Sequence, residues 1–251
     1  MKIALICAET VRAQDNPGLA EMLGLTGCPD FFQKDIVYGY HGNPLDEIVE
    51  AANTHNPDIL IAPEFFFYNG KPYSEMEKNN AIKFIQGMVK KKDMLILPGT
   101  IVWQKDGYLR NSCPVIAKGD VKEYCKATDG GDSDVALKHG CIFLPGKENG
   151  KVIEWKGKKI GIEICADHSV GTIMQRKEKA DIHIIVGCGA TIYDSNAIVK
   201  DNGYVLLCDG SYHNLKEMMT SNRAMRNNKG ILQPIKPIVH TPTEELYNLE
   251  I

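Results

Sequence analysis

The stretch KIGIEICADH, residues 159–168, is a lysine, an apolar run, and then Cys165-Ala166 before the acid Asp167; KIALICAET, residues 2–10, is its near echo at the other end of the chain. Each reads as a short buried strand that stops at a polar turn. Working outward from the N-terminal copy, NPLDEIVEAANTHN (43–56) predicts a helix, with Asn43 as N-cap, Pro44 at its first position and Leu45, Ile48, Val49 and Ala52 at helical spacing. DILIAPE (58–64) is then a buried strand closed by Glu64, SEMEKNNAIKFIQGMVKKKD (74–93) a second helix, and MLILPGTIVW (94–103) the next strand. This is a βαβαβ rhythm. Beyond the second copy, a helix near 170–180, the strand DIHIIVGCG (181–189), a helix near 192–201 and the strand YVLLCDG (204–210) repeat it.

Between the two halves the pattern changes. TIVWQKDGYLRNSCPVIAKGDVKEYCKA (100–127) has two turn signals, Asp106-Gly107 and Lys118-Gly119-Asp120, and reads as an antiparallel meander. A polar loop, TDGGDSDVALKHG (128–140), and a hairpin around KENGK (147–151) and KGKK (156–159) follow. Two mixed sheets packed face to face with helices outside satisfy this order. Residues 1–235 read as one domain, because 251 residues is within the range of a single layered α/β unit of roughly 250 residues. Residues 236–251, rich in proline and without a firm period, read as a C-terminal tail, either packed on a partner subunit or partly disordered.

Composition narrows the function. A formal net charge of -3 gives no electrostatic reason to expect nucleic acid or an anionic membrane. The longest apolar runs are about ten residues, against the roughly twenty of a spanning helix. IALICA stops at Glu9, short of the roughly 7–15 residues of a signal-peptide core, so a cytoplasmic location is expected. The eight cysteines sit mostly inside apolar runs, which reads as buried reduced thiols. Cys165-x-x-His168, with His183 and Cys188 beyond, is the nearest approach to a metal-ligand spacing, and no metal or organic cofactor is expected.

Three residues offer complementary chemistry. A thiol attacks as thiolate and needs a base, and acyl transfer needs a donor for the developing oxyanion. Glu64 is the single charge between Ile59 and Asn69; burial against Phe65, Phe66, Phe67 and Tyr68 is expected to raise its pKa and make it a usable base. Lys126 ends VKEYCK, and Cys165 ends GIEIC just before a polar turn and a helix N-terminus, which favours negative charge. Each residue alone has a bland alternative: a carboxylate or lysine at a strand end, a small core thiol. Glu163, on the same strand parity as Cys165, is expected to pair with a neighbouring cation, and His183 to be a core histidine.

Taken with their flanks and order, these residues resemble the nitrilase superfamily of carbon–nitrogen hydrolases. ILIAPEFF resembles its glutamate motif, RNSCPVIAKGDVKEYCK its central hairpin closed by Tyr-x-Lys, and IFLPG followed by KKIGIEICAD its Phe-x-Pro-Gly turn and nucleophile motif; the separations, 62 residues from Glu64 to Lys126 and 39 from Lys126 to Cys165, also suit it. The resemblance runs from the first strand to about residue 235. It implies an αββα sandwich, a small-molecule amide substrate with water as co-substrate, a homodimer or higher homo-oligomer, and Glu64, Lys126 and Cys165 as the catalytic set. It also implies that Cys7, on the first strand, is no nucleophile.

Asp167 resembles the amide-hydrolysing branches rather than true nitrilases, which carry Trp-Glu after the cysteine. Ala166, whose N–H is expected in the oxyanion site, stands where an aromatic residue is common. The loop that in many members carries a second glutamate has none here, and Asp132, Asp134 and His139 are the candidates to replace it; Tyr68 begins one of the loops expected to line the pocket. Acyl or amido transfer through the same site, a catalytically impaired relative acting as a binding protein, and a Cys-His hydrolase using His168 or His183 are the competing readings.

Overall fold

The computed structural model describes residues 1–15, 34–89, 93–118, 120–214, 219–220, 223–241 and 243–251. The last residues of the second expected helix (90–92) and Gly119 of the expected hairpin turn lie outside them. The first sheet has the strand order Val239–His240, Glu244–Asn248, Lys2–Ile6, Ile59–Ile61, Leu95–Leu97, Tyr108–Ala117, Ile101–Lys105 and Tyr73–Ser74, with Asp120–Cys125 and Ile142–Phe143 also pairing with Tyr108–Ala117. The second has the order Lys151–Trp155, Lys158–Ile164, Ala180–Gly187, Val199–Asp209, Arg223–Asn228 and Ile231–Pro234. Each has a parallel heart: Lys2–Ile6 beside Ile59–Ile61 beside Leu95–Leu97 in one, and Lys158–Ile164 beside Ala180–Gly187 beside Val199–Asp209 in the other. The two copies of the opening motif thus hold corresponding places in the two sheets.

Alternation along these strands assigns the two faces. Ile3, Leu5, Ile59, Ile61, Leu95 and Leu97 face the second sheet and join Ile160, Ile162, Ile164, Ile182 and Ile184 in one buried cluster. Ala4, Ile6, Leu60 and Ile96 face the other way, under Ile48, Ala51, Ala52, Ile82 and Ile85 of the helices Pro44–His55 and Glu75–Val89. A strand buried on both faces must be apolar throughout, which is why these stretches read as continuous runs. Each fully buried isoleucine contributes about 1.5–3 kcal/mol of transfer free energy, so the layer between the sheets dominates the stabilisation. Asn43 caps the first helix, its side chain accepting from Leu45 N at 3.2 Å. The architecture is the αββα sandwich, with a thinner outer layer on the second sheet.

That thin layer departs from expectation. In place of a helix over 170–180 there are a single turn, Ala166–Ser169, and a 3-10 segment, Thr172–Arg176, divided by Gly171 at φ 67. In place of a helix over 192–201 there is only the 3-10 turn Asp194–Asn196, and the chain is already in the strand at Val199. Asp194, Ser195 and Asn196 favour turns over helix interiors, and Ile198 and Val199 are β-branched. The C-terminal residues are part of the first sheet: Glu244–Asn248 pairs antiparallel with Lys2–Ile6 over five residues, and Leu249 N donates to Met1 O at 2.8 Å.

The Phe-x-Pro-Gly turn brings Gly146 against the end of the strand Asp120–Cys125 and the Lys126 that follows it. Gly146 N donates to Lys126 O at 2.7 Å, and a Cβ on Gly146 would lie 2.1 Å from the Cys125 carbonyl oxygen. Gly146→Ala is expected to lower unfolding free energy by about 1–3 kcal/mol through this backbone clash, measured by urea denaturation. Gly87→Ala, in the helix Glu75–Val89 where a Cβ meets nothing within 4 Å and the backbone is not left-handed, controls for glycine replacement away from a clash.

Candidate active site

Glu64, Lys126 and Cys165 each follow the carboxyl end of a strand, and the two sheets bring these ends together. Cys165 N donates to Val186 O at 2.9 Å, and Glu64 N donates to Gly187 O at 3.1 Å. The end of Ala180–Gly187 therefore holds the backbone of both residues, although they come from different sheets. Cys165 itself has φ 44 and ψ -106, a conformation that a side-chain-bearing residue adopts only when its surroundings enforce it. The turn takes Cys165, a residue of intermediate exposure, out of the strand's regular alternation. Cys7 is absent from the positive-φ residues, is buried, and its N–H donates to Thr243 O at 2.8 Å. The two copies of the motif part company at the cysteine's backbone.

Lys126 is fully buried between two carboxylates, with Nζ 2.7 Å from Glu64 Oε1 and 2.7 Å from Asp132 Oδ2. Asn111 Nδ2 donates to both acids, at 2.9 Å to Glu64 Oε1 and 2.8 Å to Asp132 Oδ1. Glu64 Oε2 is buried and has no hydrogen-bond donor among the described residues. Burial pushes Glu64 up to about 7, with Lys126 opposing and the Asp132 charge assisting. Burial alone would depress Lys126, but Glu64 and Asp132 outweigh it and hold the ammonium well above its ordinary range. Burial, with the Glu64 charge, pushes the Cys165 thiol up, so the resting sulfur is protonated beside a carboxylate of near-neutral pKa.

Two neighbouring motif residues act through structure. On Asp120–Cys125 and its continuation, alternation puts Tyr124 and Lys126 on the inner face. Tyr124 OH donates to Asp167 Oδ2 at 2.7 Å, and Asp167 Oδ1 accepts Ala127 N at 3.1 Å and Thr128 N at 2.7 Å. Asp167 thus ties the segment after the lysine to the turn after the cysteine.

Of the three candidates for the missing glutamate, Asp132 is fully buried at Lys126. Asp134 is exposed two residues further along the helix Asp132–Lys138. His139 Nε2 is 2.8 Å from Tyr68 OH, and both line a cavity of about 210 Å³ with Tyr38, Gly70, Val135 and Lys138. Tyr38 links that cavity to the buried cluster: burial raises its phenol to about 12, with Cys188 and Glu64 adding to the rise. Ala166 lies beside Gly130, where a Cβ would be 2.9 Å from Ala166 Cβ and 3.1 Å from Lys126 Nζ. Gly130 therefore keeps open the space between the ammonium and the turn.

Sequence reasoning gave no role to Asn111, Tyr38 or Gly130. The NS pair before CPVIA was the signal for Asn111, whereas Gly130 is legible only once its neighbours are known.

Glu163, His168 and His183 form the one group among the described residues with the composition of a metal site, their candidate ligand atoms lying within 4.8 Å of one another. Those atoms already bond to each other, with Glu163 Oε2 2.9 Å from His168 Nδ1 and 3.1 Å from His183 Nε2. Both imidazoles are fully buried and bond to Glu163, and no hydrogen bond joins either ring to Cys165 among the described residues.

The carbon-nitrogen hydrolase family model matches residues 43–228, and the chain belongs to that family. No curated protein matches in sequence. Among solved structures, a mutant of the amidase from Nesterenkonia sp. AN1 carrying acrylamide added at its active-site cysteine is similar in fold, with TM-score 0.62 and 14% identity over 100% of this chain and 93% of that one. XC1258 from Xanthomonas campestris, a CN-hydrolase superfamily protein with an arsenic adduct in its active site, has TM-score 0.58 and 15% identity over 100% and 90%. Saccharomyces cerevisiae Nit3, of branch 10 of the nitrilase superfamily, has TM-score 0.57 and 16% identity over 98% and 88%. No helix among the described residues is long and apolar enough to cross a membrane.

Lys126→Met removes the one cation from a fully buried cluster and leaves two acids facing each other. Unfolding free energy is expected to fall by about 3–5 kcal/mol, measured by denaturant titration.

Proposed function

We propose that this protein hydrolyses a non-peptide amide bond of a small molecule through a thioester on Cys165. The observation that carries this reading is the strained Cys165 beside a buried Glu64 whose pKa is lifted to about 7 while it remains bonded to Lys126. A carboxylate near neutral pKa can both take and return a proton at physiological pH.

Glu64 takes the thiol proton, and the sulfur bonds to the amide carbonyl carbon as the carbonyl electron pair moves onto oxygen. Lys126 has three N–H donors, of which two go to Glu64 and Asp132, leaving one for the oxyanion. Ala166 supplies a second donor, because its N–H opens the turn Ala166–Ser169 and has no acceptor within it. Collapse of the adduct re-forms the carbonyl and breaks the carbon–nitrogen bond, and Glu64 protonates the departing amine. Glu64 then deprotonates a water that attacks the thioester carbon. The acid leaves, and the sulfur recovers its proton from Glu64.

In this reading Asp132 does the work of the second glutamate, orienting Lys126 from the side opposite Glu64. Tyr68, His139 and Tyr38 bound the acyl pocket, and Asp134 lies outside it. The chain acts as a homodimer or larger assembly.

The test is intact mass and ammonia release after incubating wild type, Cys165→Ser and Cys7→Ser with a panel of small primary amides. Ammonia release in wild type and Cys7→Ser but not in Cys165→Ser is expected. Equal behaviour of all three would overturn the reading.

The acid limb gives a second check. Only ionised Glu64 accepts the thiol proton, so kcat/KM is expected to fall as pH drops through about 7, the raised value of Glu64, and to level off above it. An acid limb near 4.5, the ordinary glutamate value, would contradict the raised pKa of Glu64.

A further inference from the structure

The proposed chemistry leaves unused a buried charge directly behind the nucleophile. Glu163 is two residues before Cys165 on the same strand, fully buried, and its carboxylate accepts four hydrogen bonds. Oε2 takes His168 Nδ1 at 2.9 Å and His183 Nε2 at 3.1 Å; Oε1 takes Thr172 Oγ1 at 2.8 Å and Ile173 N at 2.9 Å. Burial alone would raise its pKa, but these donors outweigh burial and hold it down at about 2, so the carboxylate stays ionised.

His168 is the member of this group that reaches the active site, and it does so by four bonds. Its Nδ1 meets Glu163, on the strand before the nucleophile. Its Nε2 accepts Tyr193 N at 3.0 Å, from the segment after strand Ala180–Gly187. Its own N–H donates to Cys165 O at 2.9 Å, and its carbonyl accepts Asn196 Nδ2 at 2.8 Å. The segment it holds begins at Cys188, whose carbonyl oxygen is 3.8 Å from Cys165 Sγ.

The partners fix the proton positions. A backbone N–H can only donate, so His168 Nε2 carries no hydrogen and Nδ1 does; a carboxylate can only accept, so His183 Nε2 carries its hydrogen. Both imidazoles are thus hydrogen-bonded to one anion, while His183 Nδ1 is buried with no partner among the described residues.

Helical cover does little at this point. The turn after Cys165 is four residues long, and the segment over 188–198 has one 3-10 turn. With so little regular structure to hold a strained residue, a side-chain tie has to do it.

From these contacts we infer that His168, oriented by Glu163, is a positioning residue that locks the strained Cys165 turn to the 188–196 wall of the site. It touches no reacting atom. The inference rests on Cys165 being the nucleophile, and it makes kcat, rather than KM, sensitive to residue 168.

The experiment compares wild type with two replacements that each keep half of the tie. His168→Asn retains a donor toward Glu163 but no acceptor for Tyr193 N, whereas His168→Gln retains an acceptor at the position of Nε2. Three quantities are measured: the rate of Cys165 alkylation by iodoacetamide, by site-resolved mass spectrometry; kcat and KM per alkylatable site, on an amide that wild type turns over; and the melting temperature. His168→Asn is expected to slow alkylation and kcat by about tenfold to a hundredfold with little change in KM, and His168→Gln to recover part of both.

Wild-type alkylation and kcat in both variants, with only a lowered melting temperature, would overturn the inference and leave His168 a core residue. If wild type turns over no amide, the alkylation rates decide the inference alone, and the failure belongs to the hydrolysis reading. Should neither variant fold, the wild-type imidazole settles it: nitrogen-15 shifts that put the proton on Nε2 of His168 contradict the tie to Tyr193, and a proton on Nδ1 supports it.

Discussion

A single buried ammonium organises this site. Lys126 follows the end of a strand in the first sheet, with Glu64 from beyond a second strand end on one side and Asp132, which opens the helix Asp132–Lys138, on the other, each at 2.7 Å. An ionised group removed from water is costly unless its charge is matched and its donors are used. Two carboxylates and one bridging asparagine meet that requirement and also over-fill it: one positive charge cannot neutralise two negative ones. Burial raises Glu64 to about 7, with the Asp132 charge assisting and Lys126 opposing, and burial with the Glu64 charge pushes the Cys165 thiol up as well. The same arrangement that stabilises the lysine leaves a carboxylate able to accept a proton.

Placing that carboxylate against the thiol depends on the sandwich. Glu64 and Cys165 belong to different sheets, yet both backbone N–H groups end on the carbonyls of Val186 and Gly187. The apolar layer between the sheets sets their separation, and the strand end Val186–Gly187 fixes their register. Tyr124 and Asp167 add a second stitch between the lysine and cysteine segments. The Tyr-x-Lys and Cys-x-Asp motifs are therefore one structural unit. In each, a residue two positions from Lys126 or Cys165 makes the cross-link.

Much of this was legible in the sequence because it rests on local patterns. Continuous apolar runs marked the doubly buried strands, Asn43-Pro44 marked a helix start, and Pro-Glu, Tyr-x-Lys and Cys-x-Asp marked the strand ends. What escaped the sequence depends on contacts between distant residues. Helices were expected over 170–180 and 192–201 from position in the βα rhythm, but Gly171 and the Asp-Ser-Asn run broke them into short turns. The C-terminal residues had no period of their own because they form an edge pairing with Lys2–Ile6, where register is set by the partner strand. Asp132 could not be separated from Asp134 by sequence, since two residues along a helix turn them to different faces and only the position of Lys126 distinguishes these. Gly130 carries no signal beyond being a glycine.

The central claim is that burial, against the opposing pull of Lys126, sets Glu64 to titrate near neutrality. Infrared difference spectra of wild type against Glu64→Gln, recorded from pH 4 to 9, read the protonation of that carboxyl directly through its carbonyl stretch. The account predicts a protonated-acid band that disappears with a midpoint of about 7. A midpoint at the ordinary glutamate value near 4.5 would contradict it, because Lys126 would then offset the burial of Glu64 in full.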